Sequence, residues 1–134
     1  MNLSEAGQLQ ACIVDLDGTL VDTLGDFEVA LNHMLATLDR PPVTRAVIGQ
    51  LVGKGSEHLI RSVLAHGERQ RGVADSVAPE DLVNRAWRAY QEHYLLINGR
   101  YSAVYAGVRE GLLALRERGL RLACLTNKPT AFAR

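Results

Sequence analysis

Cysteine, aromatic residues and an excess of one charge are all scarce in this sequence. Its 134 residues include 2 Cys, and only 5% are Phe, Trp or Tyr. Lys plus Arg and Asp plus Glu each number 15, so the formal net charge is zero at pH 7. This balance does not provide the basic surface that nucleic acids or anionic membranes attract. We therefore expect neither a nucleic-acid partner nor a membrane partner.

The two cysteines, Cys12 and Cys124, both lie in apolar runs and form no CxxC pair. This placement indicates two buried, reduced thiols in an intracellular protein rather than a disulfide or a metal site. No apolar run approaches the roughly 20 residues needed to span a bilayer. The first ten residues, MNLSEAGQLQ, show neither the basic nor the apolar region of an export signal. We therefore expect a cytoplasmic protein.

Hydrophobic residues make up 47% of the chain, enough for one modest domain or part of a larger one. Continuous apolar runs predict two short strands, at 11–16 and 120–125, buried on both faces of a parallel sheet. Residues 67–79 are polar and aperiodic, which predicts a loop. Helical periodicity predicts helices at 24–38, 44–52, 56–65, 79–97 and 108–118. The first and fourth of these have an apolar stripe, and Thr44 is the predicted cap of the second.

This order predicts an α/β protein with an incomplete doubly wound, Rossmann-like parallel sheet. The helical block between the two strands is too long for a simple crossover connection, so it indicates an inserted α-helical domain. The predicted division is 1–21 for the first part of the α/β core, 22–100 for the helical domain and 101–134 for the continuation of the core.

Polar residues follow both predicted strands. Asp15 and Asp17 follow the first strand in the segment CIVDLDGTLVDT, with Gly18 next, and Thr126 and Asn127 follow the second. The carboxyl ends of neighbouring parallel strands meet at one sheet edge, where Gly18 and free backbone amides can approach an anion. Mg²⁺ would offset the repulsion between the acids and bind phosphate oxygens.

One aspartate at such an edge can be the nucleophile of phosphoryl transfer, while the other protonates the leaving oxygen and later activates water. The alternative is a solvated acidic turn without chemistry, which is the usual context of an isolated DxD. Here the preceding strand, the DxDGT order and the second strand ending in TN agree with each other, and together they favour the phosphoryl-transfer site.

Two motifs resemble those of the haloacid dehalogenase superfamily: DLDGTLVDT its first signature and LTNKP its second. The segments VGKGSEHLI and VYAGVREGLLALRERGLRLACLTNKP are similar to those of phosphoglycolate phosphatases. The resemblance implies the core fold of that superfamily with a helical cap domain. It also implies magnesium-dependent hydrolysis of a small phosphorylated metabolite, 2-phosphoglycolate or a similar phosphate ester, through an aspartyl-phosphate.

By the same resemblance, Asp15 is the nucleophile and a magnesium ligand. Asp17 is the general acid and base, with its backbone carbonyl on the metal. Thr126 and Asn127 bind the phosphoryl group together with Gly18. Superfamily members that displace halide from carbon lack an acid at the position of Asp17, so this acid favours phosphoryl transfer.

The segment Gly53–Lys54–Gly55 occupies a loop that faces the active site in the family. A contact of Lys54 with a substrate carboxylate and a plain solvated turn are both open interpretations. Asp22 and Thr23 match the hinge between core and cap.

The family carries two further motifs downstream: a Lys that neutralises the phosphoryl group, and an acidic pair that completes the magnesium site. Lys128 is too close to the second motif to be that Lys, and no acid follows Glu117. We therefore expect the N-terminal half of a phosphatase, inactive alone, whose exposed strands are completed by a C-terminal fragment or a swapped dimer. A non-catalytic binding module and a phosphomutase are the alternatives.

Overall fold

The computed structural model describes residues 9–73 and 77–134. Within these ranges the strands are β1 (Ala11–Val14), β2 (Val21–Asp22), β3 (Ala103–Val104) and β4 (Arg121–Cys124). The helices of the same ranges are α1 (Leu24–Thr37), α2 (Arg45–Leu51), α3 (Ser56–Gln70), α4 (Glu80–Ile97), α5 (Val108–Glu117) and α6 (Thr130–Ala133). None of the described helices combines the length and the apolar character needed to cross a membrane.

The chain divides into two compact units. The α/β unit contains the described residues up to Asp22 together with Ala103–Thr126, and the helical unit contains Thr23–Ser102 together with Asn127–Arg134. The sequence predicts that the helical domain begins at residue 22 and ends at residue 100, whereas the main segment of the helical unit begins at Thr23 and ends at Ser102. The prediction also differs for Asn127–Arg134, which the sequence placed with the α/β core and which packs in the helical unit.

The α/β unit is built on a parallel pair of strands. β1 and β4 pair from Ala11↔Arg121 to Val14↔Cys124. The parallel hydrogen bonding continues at the carboxyl ends of the two strands, where the amide of Leu125 donates to the carbonyl of Val14 at 3.0 Å. α5 precedes β4 and packs against it. β2 and β3 form a two-residue antiparallel pair, which is too short for sequence periodicity to predict.

The two strands of the parallel pair are largely exposed, and the prediction that both their faces are buried was wrong. β1 alternates exposed and half-buried residues, with Ile13 67% exposed. Cys12 is half-buried and Cys124 is exposed, so the expected buried thiols were also wrong, although both cysteines are free. Parallel sheets are normally covered by helices on both faces. In the described part of the α/β unit one helix, α5, packs against the sheet, so much of the strand surface remains exposed.

The helical unit has the main hydrophobic core of the described residues. α1 packs along α4, and the predicted apolar stripes of both helices are buried, including Leu31, Met34, Tyr90 and Tyr94 at 0% exposure. Thr44 caps α2 as predicted, since its hydroxyl accepts from the amide of Val47 at 3.4 Å.

Two helical segments of this unit go beyond the sequence prediction. α3 continues to Gln70 rather than ending near 65, and in this added turn Glu68 pairs with Arg40. A tertiary contact thus supports a turn that lacks apolar periodicity. The short helix α6 was not predicted; its Phe132 is 4% exposed and packs against the ring of Tyr94 with 4.6 Å between centroids.

The carboxylate of Asp26 joins the start of α1 to the segment that leaves α4. Asp26 is 1% exposed, and its two oxygens accept from the amides of Gly99 and Tyr101, each at 2.8 Å. The Ser102 hydroxyl donates to the same carboxylate. Gly25 lies so close that a Cβ there would collide with the Tyr101 carbonyl. The buried charge is therefore satisfied by donors from a segment distant in sequence.

The imidazole rings of His33 on α1 and His93 on α4 stack with 3.8 Å between centroids and 12° between planes. Burial, and to a lesser extent the positive charge of the neighbouring His33, lower the pKa of His93. The stack joins α1 to α4 where these helices pack together. We therefore expect protonation of His93 to weaken their packing.

We expect Asp26→Ala to lower the free energy of unfolding of the helical unit by about 3 kcal/mol, because it removes the buried carboxylate that accepts from two backbone amides and a hydroxyl. Asp26→Asn keeps the shape and loses the charge, so its effect should be smaller. Urea denaturation followed by far-UV circular dichroism measures both, with Glu92→Ala, at an exposed carboxylate within α4, as the control. Equal stability of Asp26→Ala and Glu92→Ala would show that the Asp26 contacts contribute nothing.

We also expect the free energy of unfolding to decrease as the pH falls from about 7.5 to about 5.5. The lowered pKa of His93 means that the unfolded chain binds a proton that the folded chain resists, so acid favours unfolding. His93→Gln should reduce this pH dependence, and His58→Gln on α3 should leave it. Thermal unfolding at the two pH values measures the effect; identical pH dependence in wild type and His93→Gln contradicts the account.

Candidate active site

The carboxyl ends of β1 and β4 bring three candidate residues to one edge of the α/β unit. Val14 pairs with Cys124, so Asp15 and Asp17 follow one strand at the level where Thr126 follows the other. Asp15 is exposed, whereas Asp17 and Thr126 are half-buried. This edge is where ligands bind in open parallel sheets.

The loop after β1 is closed by its own backbone hydrogen bonds. The carbonyl of Leu16 accepts from the amides of residues 19–21 at 2.9 to 3.3 Å, and the amide of Gly18 donates to the carbonyl of Val21 at 2.8 Å. The sequence suggested that backbone amides after this strand are free for an anion, whereas the amides of Gly18 and of residues 19–21 are engaged within the loop. Gly18 has φ of 77°, so its contribution is the left-handed turn that this closure needs.

A second set of candidate residues meets in the helical unit. The side-chain amide of Asn127 donates to the carbonyl of Gly53 at 3.0 Å. A Cβ on Gly55 would lie 3.5 Å from the Asn127 carbonyl. Gly53 and Gly55 have φ of 119° and 89°, a backbone that favours glycine on both sides of the exposed Lys54. The sequence indicated each part, but not that Asn127 contacts this loop.

Lys128 is a residue that sequence reasoning set aside. Its ammonium donates to the Tyr94 hydroxyl at 2.6 Å and lies 5.0 Å from the ring centroids of both Phe27 and Tyr94. These are hydrogen-bond and cation–π contacts. The sequence pointed to Lys128 only by its position directly after Asn127. Its aromatic partners could not be predicted, because they lie on α1 and α4, far from Lys128 along the chain.

The candidate residues therefore belong to two groups. Asp15, Asp17, Gly18 and Thr126 lie in the α/β unit, and Asn127 lies with the segment 53–55 in the helical unit. Across residues 9–73 and 77–134, no group of three or more His, Cys, Asp or Glu side chains is arranged to hold a metal ion.

The arrangement of the α/β unit suits chemistry on an electrophilic phosphorus. An exposed carboxylate such as Asp15 is available as a nucleophile, and a second, half-buried carboxylate two residues away can exchange a proton. The hydroxyl of Thr126 on the neighbouring strand end can donate to an anion. Asp15 and Asp17 are also the acidic side chains at this edge, and carboxylate oxygens are the ligands that a hard cation prefers.

A family model described as haloacid dehalogenase-like hydrolase matches residues 9–134. A relative named phosphoglycolate phosphatase, plasmid, from Cupriavidus necator is 41% identical over 123 residues, which cover 92% of this chain and 50% of that protein. The phosphoglycolate phosphatase of Nitrosospira multiformis is 41% identical over 127 residues, covering 92% of this chain and 52% of the relative.

Among solved structures, a predicted phosphoglycolate phosphatase from Haemophilus somnus superposes with a TM-score of 0.82 at 30% identity. The match covers 92% of this chain and 53% of that chain. The chain thus spans about half the length of the relatives that it matches.

Proposed function

The chain belongs to the haloacid dehalogenase-like hydrolases, and we propose that it acts, as part of a complete fold, in a magnesium-dependent phosphomonoesterase. The proposed substrate is 2-phosphoglycolate or a similar small phosphate ester. The observation that carries the proposal is the parallel pairing of β1 with β4, which sets Asp15 and Asp17 beside Thr126. The names of the relatives at 41% identity support the substrate class.

In the first step, a carboxylate oxygen of Asp15 attacks phosphorus and forms a P–O bond. The ester P–O bond breaks, and Asp17, entering as the carboxylic acid, donates its proton to the leaving alcohol oxygen. The product is an aspartyl-phosphate at Asp15. In the second step, Asp17 takes a proton from water, the water oxygen attacks phosphorus and the P–O bond to Asp15 breaks. Inorganic phosphate leaves, and both side chains return to their starting states.

The side chains of Thr126 and Asn127 are proposed to donate hydrogen bonds to the phosphoryl oxygens. The exposure of Asn127 leaves its side chain accessible. In this structure its amide is held by Gly53, so binding of a phosphoryl group requires exchange of that hydrogen bond. Gly18 supports the site through the shape of the loop after β1.

The donor set of the α/β unit fits magnesium. Mg²⁺ in phosphoryl-transfer sites is held by one or two carboxylates with water and substrate phosphate oxygens, and the hard oxygen donors of this edge are those of Asp15 and Asp17. We propose the Asp15 carboxylate and the Asp17 carbonyl as ligands. When bound, the ion neutralises negative charge on the phosphoryl group.

The helical unit is proposed to be a cap that selects the substrate. Lys54 is exposed between two glycines whose backbone holds the turn. An ammonium in this position suits the carboxylate of phosphoglycolate, and its exposed, flexible stem allows it to reach a small anion.

The 134-residue chain alone is proposed to bind phosphate esters without turnover. Its described residues provide no cluster of three metal-ligating side chains. The residues proposed for the chemistry in the α/β unit, Asp15, Asp17 and Thr126, include no cationic side chain to stabilise the transition state. This makes a non-catalytic binding module the second candidate for the isolated chain.

The test joins this chain to the part of the Cupriavidus necator relative that it does not span. The chimera should release inorganic phosphate from 2-phosphoglycolate in Mg²⁺ and lose activity in EDTA. Asp15→Asn should reduce kcat by at least about 10³-fold, because the amide cannot form the phosphoenzyme. Asp81→Asn, an exposed carboxylate at the start of α4, is the matched control.

Normal turnover by the Asp15→Asn chimera would refute the assignment of the nucleophile. Multiple turnover by the 134-residue chain alone would refute its inactivity. A phosphomutase would move the phosphoryl group to a second hydroxyl of a sugar phosphate rather than to water, so ³¹P NMR of the products separates it from a phosphatase.

A further inference from the structure

Side chains attach the segment Asn127–Arg134 to the rest of the helical unit, to which it belongs. The ring of Phe132 packs against that of Tyr94 with 4.6 Å between centroids. The side-chain amide of Asn98 donates to the Phe132 carbonyl at 2.9 Å. These contacts hold α6, and a different side chain holds the beginning of the segment.

Lys128 is the side chain that holds the beginning of the segment. Its ammonium donates to the hydroxyl of the fully buried Tyr94 at 2.6 Å. The same ammonium lies 5.0 Å from the ring centroids of Phe27 and Tyr94. Lys128 is half-buried, and a cation–π contact is stronger where water is removed from the cation. Lys128 therefore has a defined position against α1 and α4, whereas a surface lysine samples many rotamers.

This ammonium belongs to the residue next to Asn127. Asn127 is exposed, and its side-chain amide donates to the Gly53 carbonyl at 3.0 Å. An exposed side chain loses conformational entropy when it makes such a contact, and a backbone that is already held reduces this loss. The contact of Lys128 with Tyr94 thus supports the contact of Asn127 with Gly53.

The distribution of lysine in the sequence points to the same place. Lys54 and Lys128 are the only lysines in the sequence. Lys54 directly follows Gly53, and Lys128 directly follows Asn127. The two lysines therefore flank the hydrogen bond between Asn127 and Gly53. Lys54 is exposed and can reach an anion, whereas the Lys128 ammonium is engaged by aromatic side chains, so the two have different roles.

We propose that Lys128 is a positioning residue that acts through Asn127. Its ammonium stays on Phe27 and Tyr94 and holds the backbone from which Asn127 presents its side-chain amide to an anion. The inference rests on the proposed function of Asn127 as a donor to the phosphoryl group. It assigns direct contact with the anion to Asn127 and Lys54, and none to Lys128.

The test uses the chimera with the Cupriavidus necator relative, prepared with ¹⁵N-labelled asparagine. Asn127→Ala identifies the side-chain signal of Asn127 by its loss. Lys128→Met should increase the exchange of the Asn127 side-chain amide protons with water by about fivefold or more, because the backbone is no longer held. Lys128→Arg should keep the slow exchange, since a guanidinium also stacks on aromatic rings and donates to a hydroxyl. This readout requires no turnover.

Kinetics on 2-phosphoglycolate give the second readout. Lys128→Met should lower kcat/KM by about tenfold, and by less than about twofold in the Asn127→Ala background, because the residue through which it acts is absent there. Tyr94→Phe keeps the charge of Lys128 and removes its acceptor, so it should lower kcat/KM by about threefold or more. Val63→Ala, at a buried position of α3, is the control for lost stability and should change kcat/KM by less than about twofold.

Two results would overturn the inference. One is unchanged exchange of the Asn127 side-chain amide in Lys128→Met. The other is an equal loss of kcat/KM with and without the Asn127 side chain, which would show that the ammonium acts on the anion itself. A wild-type chimera without turnover would refute the proposed function, and the exchange of the Asn127 amide would still decide whether Lys128 positions it.

Discussion

The parallel hydrogen bonding between β1 and β4 is the interaction on which the candidate site depends. It joins segments near opposite ends of the chain, from Ala11↔Arg121 to Val14↔Cys124. Without it, Asp15 and Thr126 have no common sheet edge. Such a pairing must overcome the closure entropy of the long intervening segment, and here a two-stranded sheet with exposed faces has to do so.

The helical unit stands in contrast, since the side chains that hold it together are buried. α1 and α4 enclose fully buried aromatic and aliphatic side chains, and the Asp26 carboxylate fixes the segment after α4 to the start of α1. Lys128 and Phe132 extend this packing to the end of the chain. Lys54, which is proposed to select the substrate, thus lies in a well-packed unit. Asp15 and Asp17, which are proposed to carry out the chemistry, lie in a unit whose strands are largely exposed.

Much of this division could be predicted from residue patterns. The stripes of α1 and α4, the cap at Thr44 and the position of Asp15 after an apolar strand follow from local spacing. The family assignment from DLDGT and LTNKP is confirmed by the match over residues 9–134.

What the sequence could not predict depends on partners distant along the chain. An apolar run such as β1 indicates a strand that would be buried in a complete sheet, but not whether a second layer covers it. The docking of Phe132 on Tyr94, the Asn127–Gly53 hydrogen bond and the closure of the Gly18 loop are likewise tertiary or backbone contacts. Residue type alone does not encode them.

The paired ends of β1 and β4 carry the proposed site, and a two-stranded sheet of this size is marginal in water by itself. Hydrogen exchange of the dilute, monomeric 134-residue chain tests it most directly. The account predicts rapid exchange of the amides in β1 and β4, including that of Leu125, alongside strong protection in α4. Protection of β1 and β4 equal to that of α4 in a proven monomer would contradict it.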